Sequence, residues 1–366
     1  MSENLRYAVA ACQTDFPSPT HHREIAGRAD RMLAMIDGAV VGYRPFFPVR
    51  LVVFPEFAHA APVYPTVAEL REKLAVPVPN EHTDRYVAKA REHGIYIQTG
   101  SFIELDPAWP GVLFNTTCLV GPEGVLAKYR KVNPWIPWEV HASPHDVPGY
   151  DAEMFPVART EIGNLGCAIC YDWLFPEAIR QLTFNGAEVL IRVSAYMDPW
   201  GATPPMDWWT VVNRCRALEN LAYVVAANQG ASLAHYGPFS WPGGSMIVDY
   251  DGRILAQADP GPGEKVVVAE IDVGALREAR RNRLGHNPIA HLRREAYAGA
   301  KRGYPQAGFV AAKEPRANRT VGITSTQVYS GDYTFITVAN SQEGVHYQLR
   351  NNTGNWLLIA SDYDDE

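Results

Sequence analysis

One stretch constrains the fold more than any other: an apolar run, then a cysteine, then a helical pattern. Residues 162–169 are largely apolar and predict a buried strand. From Phe175 onward, apolar residues recur at helical spacing, at Ala178, Ile179, Leu182 and Phe184. A strand that leads through a turn into a helix is typical of an α/β fold, and Cys170 lies in that turn.

The place of Cys170 in the chain fits a nucleophile but does not establish one. A turn that leaves a strand directs one side chain and several backbone N–H groups into the same space, as in the serine elbow of α/β-hydrolases. A lone cysteine is nevertheless more often a small buried apolar residue. The neighbouring residues therefore have to decide between the two.

Cys167 and Cys170 also form a C-x-x-C pair, which raises redox and zinc chemistry as alternatives. No second pair of cysteines and no close pair of histidines in the sequence completes four zinc ligands. The strand-end setting also differs from the helix-start position of a thioredoxin-type motif. We therefore expect no metal site and no cofactor.

The composition excludes several classes of function. The 366 residues carry a net charge of -7 and no basic run, which argues against nucleic acid or an anionic membrane as a partner. The first eleven residues lack the apolar run of a secretory signal, and no segment approaches the roughly 18 apolar residues of a membrane span. Five scattered cysteines favour a reducing compartment. A cytoplasmic location is expected.

Strands and helices alternate along most of the chain. The further predicted strands cover residues 7–12, 51–54, 95–102, 114–120, 125–129, 189–194, 222–227, 245–249, 254–256 and 266–271. The further predicted helices cover residues 17–43, 81–93, 205–218 and 272–283. This alternation, mixed with hairpins, predicts an α/β layered fold around one core.

Two predicted strands end at charged residues. Glu56 follows the run 51–54, which places it at the sheet rim where α/β enzymes collect their chemistry. Lys131 follows a predicted hairpin and opens a loop, residues 131–139, with two prolines and two tryptophans. Prolines exclude a central strand or a helix interior, so this loop is predicted to be rigid and aromatic. Residues 141–150 are predicted as a surface excursion in which His141 and His145 have no chemical role.

The sequence changes character near its end. We expect a main domain over residues 1–305 and a C-terminal extension over residues 306–366, rich in Thr, Ser, Asn and Gly. The alternation at 334–338 and the apolar block at 355–359 leave three interpretations open. These are added edge strands, an arm that clasps a partner subunit, or a partly ordered tail.

Glu56, Lys131 and Cys170 together supply what attack on a carboxamide or nitrile carbon requires. The thiol is the nucleophile, a carboxylate accepts its proton, and a cation stabilises the negative charge that develops on the substrate. The segments Pro55-Glu56, Tyr129-Arg130-Lys131 and Cys170-Tyr171-Asp172, with Pro176-Glu177, resemble the nitrilase superfamily of carbon-nitrogen hydrolases in order and spacing. The resemblance spans about residues 5–305.

Within the superfamily, the likeness is closest to the aliphatic amidase and formamidase branch. The loop from Lys131 to Glu139 resembles that branch, with a second glutamate eight residues after the lysine. Ile191-Arg192 followed by Tyr196-Met197 resembles it as well. True nitrilases usually have Cys-Trp-Glu at the elbow, where this chain has Cys170-Tyr171-Asp172.

The resemblance implies a four-layer αββα sandwich that pairs through helices near the elbow into an eight-layer homodimer, or a higher homo-oligomer. It also implies the roles of four residues. Cys170 is the nucleophile, Glu56 is the general base and then the acid, Lys131 stabilises the oxyanion, and Glu139 positions substrate or water. The implied reaction converts an amide to a carboxylic acid and ammonia through a thioester.

The expected substrate class follows from places where this chain departs from the family pattern. Carbamoylases carry arginines shortly after the cysteine to hold a carboxylate, where this chain has Trp173 and Leu174. Aromatic residues are expected to line the pocket: Phe57, Trp135, Trp138, Tyr171, Trp173 and Tyr196. We predict a neutral amide with a small aliphatic or aryl acyl group, because a carboxylate would be costly against such a wall. The long loop 141–150 could admit carbamates or anilides.

Two alternatives remain open from the sequence. A nitrilase, or a hydrolase of N-carbamoyl compounds or carbamates, would use the same three residues on a different carbon–nitrogen group. A catalytically idle member that serves as a binding or scaffold protein would keep the fold without the reaction.

Overall fold

The computed structural model describes residues 5–64, 66–135, 139–197, 201–231, 241–259, 261–293, 296, 321–323 and 336–338. The chain divides into two compact units, Met1–Leu292 and Arg293–Glu366. Of the second unit, the structure describes little beyond two short strands, Val321–Ile323 and Ile336–Val338, which pair antiparallel. The block 355–359 lies outside the described residues.

The first unit is built from helices and two six-stranded sheets. Its strands are β1 Arg6–Gln13, β2 Val49–Val53, β3 Tyr96–Glu104, β4 Phe114–Gly121, β5 Gly124–Arg130, β6 Val157–Thr160, β7 Gly163–Ile169, β8 Val189–Ser194, β9 Tyr223–Asn228, β10 Met246–Val248, β11 Ile254–Gln257 and β12 Lys265–Asp272. Its helices are α1 Ile25–Tyr43, α2 Val67–Lys73, α3 Glu81–His93, α4 Pro176–Phe184, α5 Trp208–Asn220 and α6 Val273–Asn282.

The two sheets have matching topologies. One has the strand order β12-β1-β2-β3-β4-β5 and the other β11-β10-β9-β8-β7-β6. In each sheet the three central strands, β1-β2-β3 and β7-β8-β9, run parallel, and antiparallel strands flank them. The carboxyl ends of neighbouring parallel strands meet at one edge of a sheet, and ligands bind at such edges in α/β proteins.

Strand β1 shows how the layers form. Its residues alternate between two apolar clusters, because successive side chains of a strand point to opposite faces. Tyr7, Val9 and Ala11 face the second sheet and belong to the cluster between the sheets. Ala8, Ala10 and Cys12 belong to the cluster that contains Met32 and Ile36 of α1. Full burial of a side chain the size of Val9, Met32 or Ile36 contributes about 1.5–3 kcal/mol.

Helices cover the outer faces of both sheets. Helices α1 and α3 pack on the first sheet, with Tyr86 of α3 fully buried there. Helices α4 and α5 pack on the second sheet through Ile179, Leu182 and Ala217. The α/β class and the αββα sandwich predicted from the sequence are thus confirmed. No helix in the described residues is long and apolar enough to cross a membrane.

The structure differs from the predicted elements in a few places. Helix α1 begins at Ile25 rather than near residue 17, because the preceding segment contains Pro17 and Pro19. Helix α2 and strand β6 were not predicted, since both are short and have irregular flanks. The prediction of a surface excursion at 141–150 is wrong for its first part, because His141 and Ser143 are buried.

Candidate active site

Residues that follow the ends of four strands meet at one cavity. Glu56 follows β2 at a distance of three residues, Lys131 directly follows β5, Cys170 directly follows β7, and Ala195 directly follows β8. All four residues line the cavity. The carboxyl edges of the two sheets therefore supply one site, although its residues are far apart in sequence.

A buried cluster of three charged side chains forms the floor of the site. The Lys131 ammonium donates hydrogen bonds to Oε1 of Glu56 at 2.8 Å and to Oε1 of Glu139 at 2.6 Å. The three side chains are nearly inaccessible to solvent, at 1%, 1% and 2% for Lys131, Glu56 and Glu139. Two carboxylates around one ammonium leave the cluster with one net negative charge.

Further hydrogen bonds fix both the carboxylate and the backbone of Glu56. The Nδ2 group of Asn115 donates to Oε1 at 2.8 Å, and the backbone N–H of Ala195 donates to Oε2 at 2.9 Å. The side chain of Gln229 donates to the Glu56 backbone carbonyl at 2.7 Å. Gly100, at φ +73°, lies so close to the Pro55 carbonyl that a Cβ there would be 2.6 Å from that oxygen. Only glycine fits beside this turn.

Glu139 connects the cluster to the loop that follows Lys131. Its second oxygen, Oε2, accepts a hydrogen bond from the backbone N–H of Trp135 at 2.7 Å. The backbone N–H of Glu139 in turn donates to the Trp135 carbonyl at 3.0 Å. These contacts hold the Trp135 side of the loop at the cavity. Trp138, which we predicted in the cavity wall, lies outside the described residues.

Cys170 occupies the elbow predicted from the sequence, with a backbone geometry that the sequence did not reveal. Its φ of +44° is in the left-handed region, which a residue with a Cβ adopts only at a cost of about 1–3 kcal/mol. A 3₁₀ turn, Cys170–Leu174, separates β7 from α4. Pro176 begins the helix at a position that suits proline, since its missing N–H has no helical partner.

The carboxylate of Asp172 fixes this elbow. It accepts hydrogen bonds from the Tyr129 hydroxyl at 2.7 Å, the backbone N–H of Ile169 at 3.1 Å, and both the backbone and the side chain of Asn133 at 2.8 and 2.9 Å. Asp172 therefore joins the Cys170 turn to β5 and to the loop after Lys131. These contacts show that Asp172 orients the elbow.

The ionisation of the cluster follows from burial and mutual charge. Burial and, to a smaller extent, the charge of Glu139 raise the pKa of Glu56 to about 7, although Lys131 opposes the shift. Burial is the largest influence on Glu139 too, but the charges of Lys131 and His141 and the hydrogen bonds from Lys131 and Trp135 together outweigh it and keep the pKa of Glu139 below its usual value. Burial also disfavours the Lys131 ammonium, yet Glu139 and Glu56 raise its pKa. Glu139 and Lys131 stay charged, and Glu56 can exchange a proton near neutral pH.

The Cys170 thiol and the Glu56 carboxyl group line the same cavity and influence each other's ionisation. Burial, together with the negative charge of Glu56, raises the pKa of the thiol to about 12, while Lys131 and Arg192 act in the opposite direction. The resting cysteine is therefore protonated. A thiol of this kind reacts when a neighbouring base takes its proton during the attack.

The cavity above these groups has a volume of about 210 Å³ and a mostly apolar wall. Besides Glu56, Lys131, Glu139 and Cys170, it is lined by Phe57, Trp135, Tyr171, Leu174, Ala195, Tyr196, Met197 and Trp208. No second lysine and no arginine is among these lining residues. An apolar wall with a few polar groups on one side is typical of sites for small neutral ligands.

Four of the six predicted wall residues line the cavity, namely Phe57, Trp135, Tyr171 and Tyr196. The structure corrects the placement of Trp173. Its ring is fully buried behind the wall, and its Nε1 donates to the Ala168 carbonyl at 3.1 Å. In the 3₁₀ turn, Leu174 rather than Trp173 faces the cavity.

Sequence reasoning missed Asn115, Ala195 and Trp208. Ala195 could have been found, because it follows a predicted parallel strand and so lies at the same sheet edge as Cys170. Asn115 is the second residue of β4, and a single buried amide within a strand gives no signal in the sequence. Trp208 begins α5 and is half exposed, so the pattern alone does not place it at the cavity.

A second group of ionisable residues lies on α1 and α3. Asp37, Glu92 and His93 are close enough to share a metal ion. The Lys89 ammonium already binds Asp37 at 3.0 Å and Glu92 at 2.8 Å. These contacts give the acidic residues a cation from the chain itself, so we assign no metal site to them.

Comparison with known proteins agrees with this geometry. The carbon-nitrogen hydrolase family matches residues 8–281. The chain therefore belongs to the carbon-nitrogen hydrolase family, and it is a hydrolase that acts on carbon–nitrogen bonds. A formamidase of Bacillus thuringiensis (strain Al Hakam) is 28% identical over 312 residues, which cover 84% of this chain and 86% of that protein.

Solved structures show the same fold. Nit3 of Saccharomyces cerevisiae, a member of branch 10 of the nitrilase superfamily, is 25% identical with a TM-score of 0.62, over 77% of this chain and 98% of Nit3. A carbon-nitrogen hydrolase from Helicobacter pylori G27 is 20% identical with a TM-score of 0.64, over 80% and 97% of the two chains. The predicted resemblance to the nitrilase superfamily, with its nearest likeness to the amidase and formamidase branch, is confirmed.

The charged cluster predicts that loss of Lys131 lowers the free energy of unfolding more than loss of Lys128 does. Lys131→Met leaves Glu56 and Glu139 buried without their cation, and loss of one partner of a buried ion pair costs about 3–5 kcal/mol. We expect the free energy of unfolding in urea at pH 8 to fall by about that amount. Lys128→Met is the control, since Lys128 is partly exposed and the buried Glu104 keeps its two hydrogen bonds to Arg130; we expect a loss of about 1 kcal/mol. Equal losses for the two variants would contradict the assignment.

Proposed function

We propose that the protein is a cysteine amidohydrolase that converts a neutral carboxamide to a carboxylic acid and ammonia through a thioester. One observation carries the proposal: the Cys170 thiol, the Glu56 carboxyl group and the Lys131 ammonium share one small, mostly apolar cavity. The formamidase relative supports an amide as the substrate. The roles below are those implied by the family resemblance and are consistent with the contacts.

In the first half of the reaction, the Cys170 sulfur attacks the amide carbon while Glu56 takes the thiol proton. The carbonyl oxygen becomes an oxyanion, which Lys131 and the backbone N–H of Tyr171 stabilise; each such donor is worth on the order of a hundredfold in rate. Glu56 then gives its proton to the amide nitrogen, and the carbon–nitrogen bond breaks. Ammonia leaves, and the acyl group stays on sulfur.

In the second half, water hydrolyses the thioester. Glu56, which is ionised again, takes a proton from the attacking water, and a second oxyanion forms at the same donors. Collapse of this intermediate breaks the carbon–sulfur bond, and the proton returns from Glu56 to the leaving sulfur. Glu139 holds Lys131 and the Trp135 backbone in place through both halves, which extends its predicted role as a positioning residue.

The raised pKa of Glu56 suits a group that acts as both base and acid. A proton-transfer group works best when its pKa lies near the working pH, and the pKa of Glu56 is about 7. The hydrogen bonds from Asn115 and Ala195 fix the carboxylate, so it need not reorganise between the two steps. The protonated thiol also resists oxidation while the site is empty of substrate.

The cavity favours a neutral acyl group of moderate size. Its volume of about 210 Å³ exceeds what the smallest amides fill, and its wall presents aromatic and aliphatic side chains. Lys131, the single cation among the described lining residues, is already engaged by two carboxylates. A substrate carboxylate would therefore be buried without a partner, which is costly.

A panel of substrates tests the reaction. We expect ammonia release from neutral aliphatic and aryl amides, and little or none from nitriles or N-carbamoyl amino acids. Cys170→Ala should lower the rate at least about 10³-fold because it removes the nucleophile. Cys167→Ala is the matched control, since this thiol lies in β7 outside the active-site cavity, and it should retain activity.

Turnover of nitriles with inert amides would show a nitrilase, and turnover of N-carbamoyl compounds alone would show a carbamoylase. Equal behaviour of wild type and Cys170→Ala toward every compound would favour the idle scaffold protein. Each of these results would replace the proposed reaction.

We also propose that the boundary of the hydrolase domain lies near residue 305, as expected from the sequence. The family match ends at residue 281, and α6 ends at Asn282. Contacts within the chain divide after Leu292. These three limits support a C-terminal extension over the last residues of the chain.

The helices that cover the second sheet, α4 and α5, have an exposed surface that fits a homodimer interface. Trp208, Val211 and Leu218 of α5 are 44%, 56% and 50% exposed, and Cys215 is exposed between them. Their spacing of three, four and three residues places them along one side of the helix. An apolar stripe of this kind is typical of the centre of a protein interface. We propose a second copy of the chain as its occupant, in line with the family resemblance.

Val211→Glu tests this interface. A charge at the centre of an apolar interface is costly, so we expect the variant to sediment as a monomer at concentrations where the wild type is a dimer. Val41→Glu is the matched control, because Val41 is 52% exposed on α1, which covers the other sheet. A monomeric wild type, or dissociation by Val41→Glu alone, would contradict the proposed interface.

A further inference from the structure

A buried arginine lies beside the active site and has no place in the reaction described above. Arg192 is the fourth residue of β8 and is fully inaccessible to solvent. Its Cα pairs with that of Ala168 in β7, two residues before Cys170. Arginine is among the residues that are almost never fully buried without an ionic partner.

Arg192 is held by groups that carry no negative charge. Its guanidinium carbon lies 4.3 Å from the ring centre of Trp209, 5.3 Å from that of Tyr196 and 5.4 Å from that of Trp173. One guanidinium nitrogen donates to Oδ1 of Asn213 at 2.9 Å. In the part of the chain that the structure describes, Nε and the other terminal nitrogen have no hydrogen-bond acceptor, and no carboxylate pairs with the group.

The charges in the active site account for an arginine without a carboxylate partner. Glu56, Lys131 and Glu139 together carry one net negative charge, and Arg192 supplies one positive charge. The ionised forms of Cys170, Tyr196 and Glu56 favour the charged guanidinium, whereas Arg216 of α5 opposes it. Burial lowers the pKa of Arg192 to about 10. Arg192 therefore remains a cation at neutral pH.

We propose that Arg192 is a positioning residue that stabilises the negative charge on the Cys170 sulfur when the thiol proton moves to Glu56. The inference rests on the proposed function, in which Cys170 is the nucleophile. The field of Arg192 acts from the outer face of the second sheet and adds to that of Lys131, which acts from the cavity and also stabilises the oxyanion of the substrate.

The neutral surroundings of Arg192 are what this role requires. A carboxylate in contact with the guanidinium would cancel its field at the sulfur, whereas the Asn213 amide orients it without cancelling it. The three aromatic rings hold the cation by cation–π attraction and exclude water, which would screen it. A purely structural arginine would be better satisfied by a carboxylate at position 213.

The test measures the reactivity of the Cys170 thiol directly. The rate of alkylation by iodoacetamide is followed from pH 6 to 9, with peptide mass spectrometry to separate Cys170 from the exposed Cys215. Arg192→Gln removes the charge. We expect the alkylation rate of Cys170 to fall about tenfold, so that a given rate is reached at a pH about one unit higher than in the wild type. Arg280→Met is the control for loss of an arginine away from the site, because Arg280 is half-buried and binds backbone carbonyls of other elements; its profile should equal that of the wild type.

Asn213 offers a second test that keeps the arginine in place. Asn213→Asp places a carboxylate next to the Arg192 guanidinium. We expect this variant, like Arg192→Gln, to lower the alkylation rate of Cys170. It should not lower the thermal stability. Asn213→Ala removes the hydrogen bond but not the charge, and its rate should stay within about threefold of the wild type. This pair remains informative if Arg192→Gln does not fold.

An unchanged rate and pH profile in folded Arg192→Gln or in Asn213→Asp would overturn the proposal, as would an equal loss in Asn213→Asp and Asn213→Ala. Alkylation does not depend on amide turnover, so this result is separate from the fate of the proposed function. The latter fails if Cys170→Ala still hydrolyses amides.

Discussion

The ion cluster of Lys131 with Glu56 and Glu139 is the interaction on which the site depends. Three charged groups are taken out of water, and they remain compatible with a stable fold only because each is bonded to another. The excess of one carboxylate has a chemical consequence. Glu139 keeps its charge, and Glu56, in its field and away from water, holds a proton that it can release near neutral pH. The same geometry thus stabilises the cluster and prepares a proton acceptor for Cys170.

The ends of strands from both sheets place this cluster next to the Cys170 thiol. Parallel strands of two matching sheets end at one cavity, and the residues that follow them supply the carboxylate, the thiol and a backbone N–H. The elbow depends on Asp172, which bonds the turn at Cys170 to the strand and loop that carry Lys131. A shift of either sheet would therefore separate the reacting groups, which explains why the residues between them are so deeply buried.

The structural features that could be predicted from the sequence are those that depend on local residue patterns. The unbroken apolar runs before Glu56 and Cys170 are typical of parallel strands buried on both faces, so the strand ends and the fold class were accessible. Contacts between distant residues were not accessible. The N–H of Ala195 reaches Glu56 across 139 residues of sequence. That no carboxylate among the described residues pairs with Arg192 is likewise a property of the packed structure alone. Trp173 was misplaced because the sequence predicts a turn after Cys170 but not which side chains of that turn face the cavity; in the 3₁₀ turn it is Leu174.

The central claim is that ionised Glu56 takes the proton of Cys170 during acylation. The most direct measurement is the rate of acyl-enzyme formation between pH 5 and 10, from a single turnover with an amide that is quenched in acid and read by intact-protein mass spectrometry. The account predicts a rate that rises as Glu56 loses its proton, with an apparent pKa near 7, and that is level at higher pH. A rate that keeps rising tenfold per unit to pH 10, as for a thiol that titrates directly into solvent, or a rate that is flat from pH 5, would contradict it.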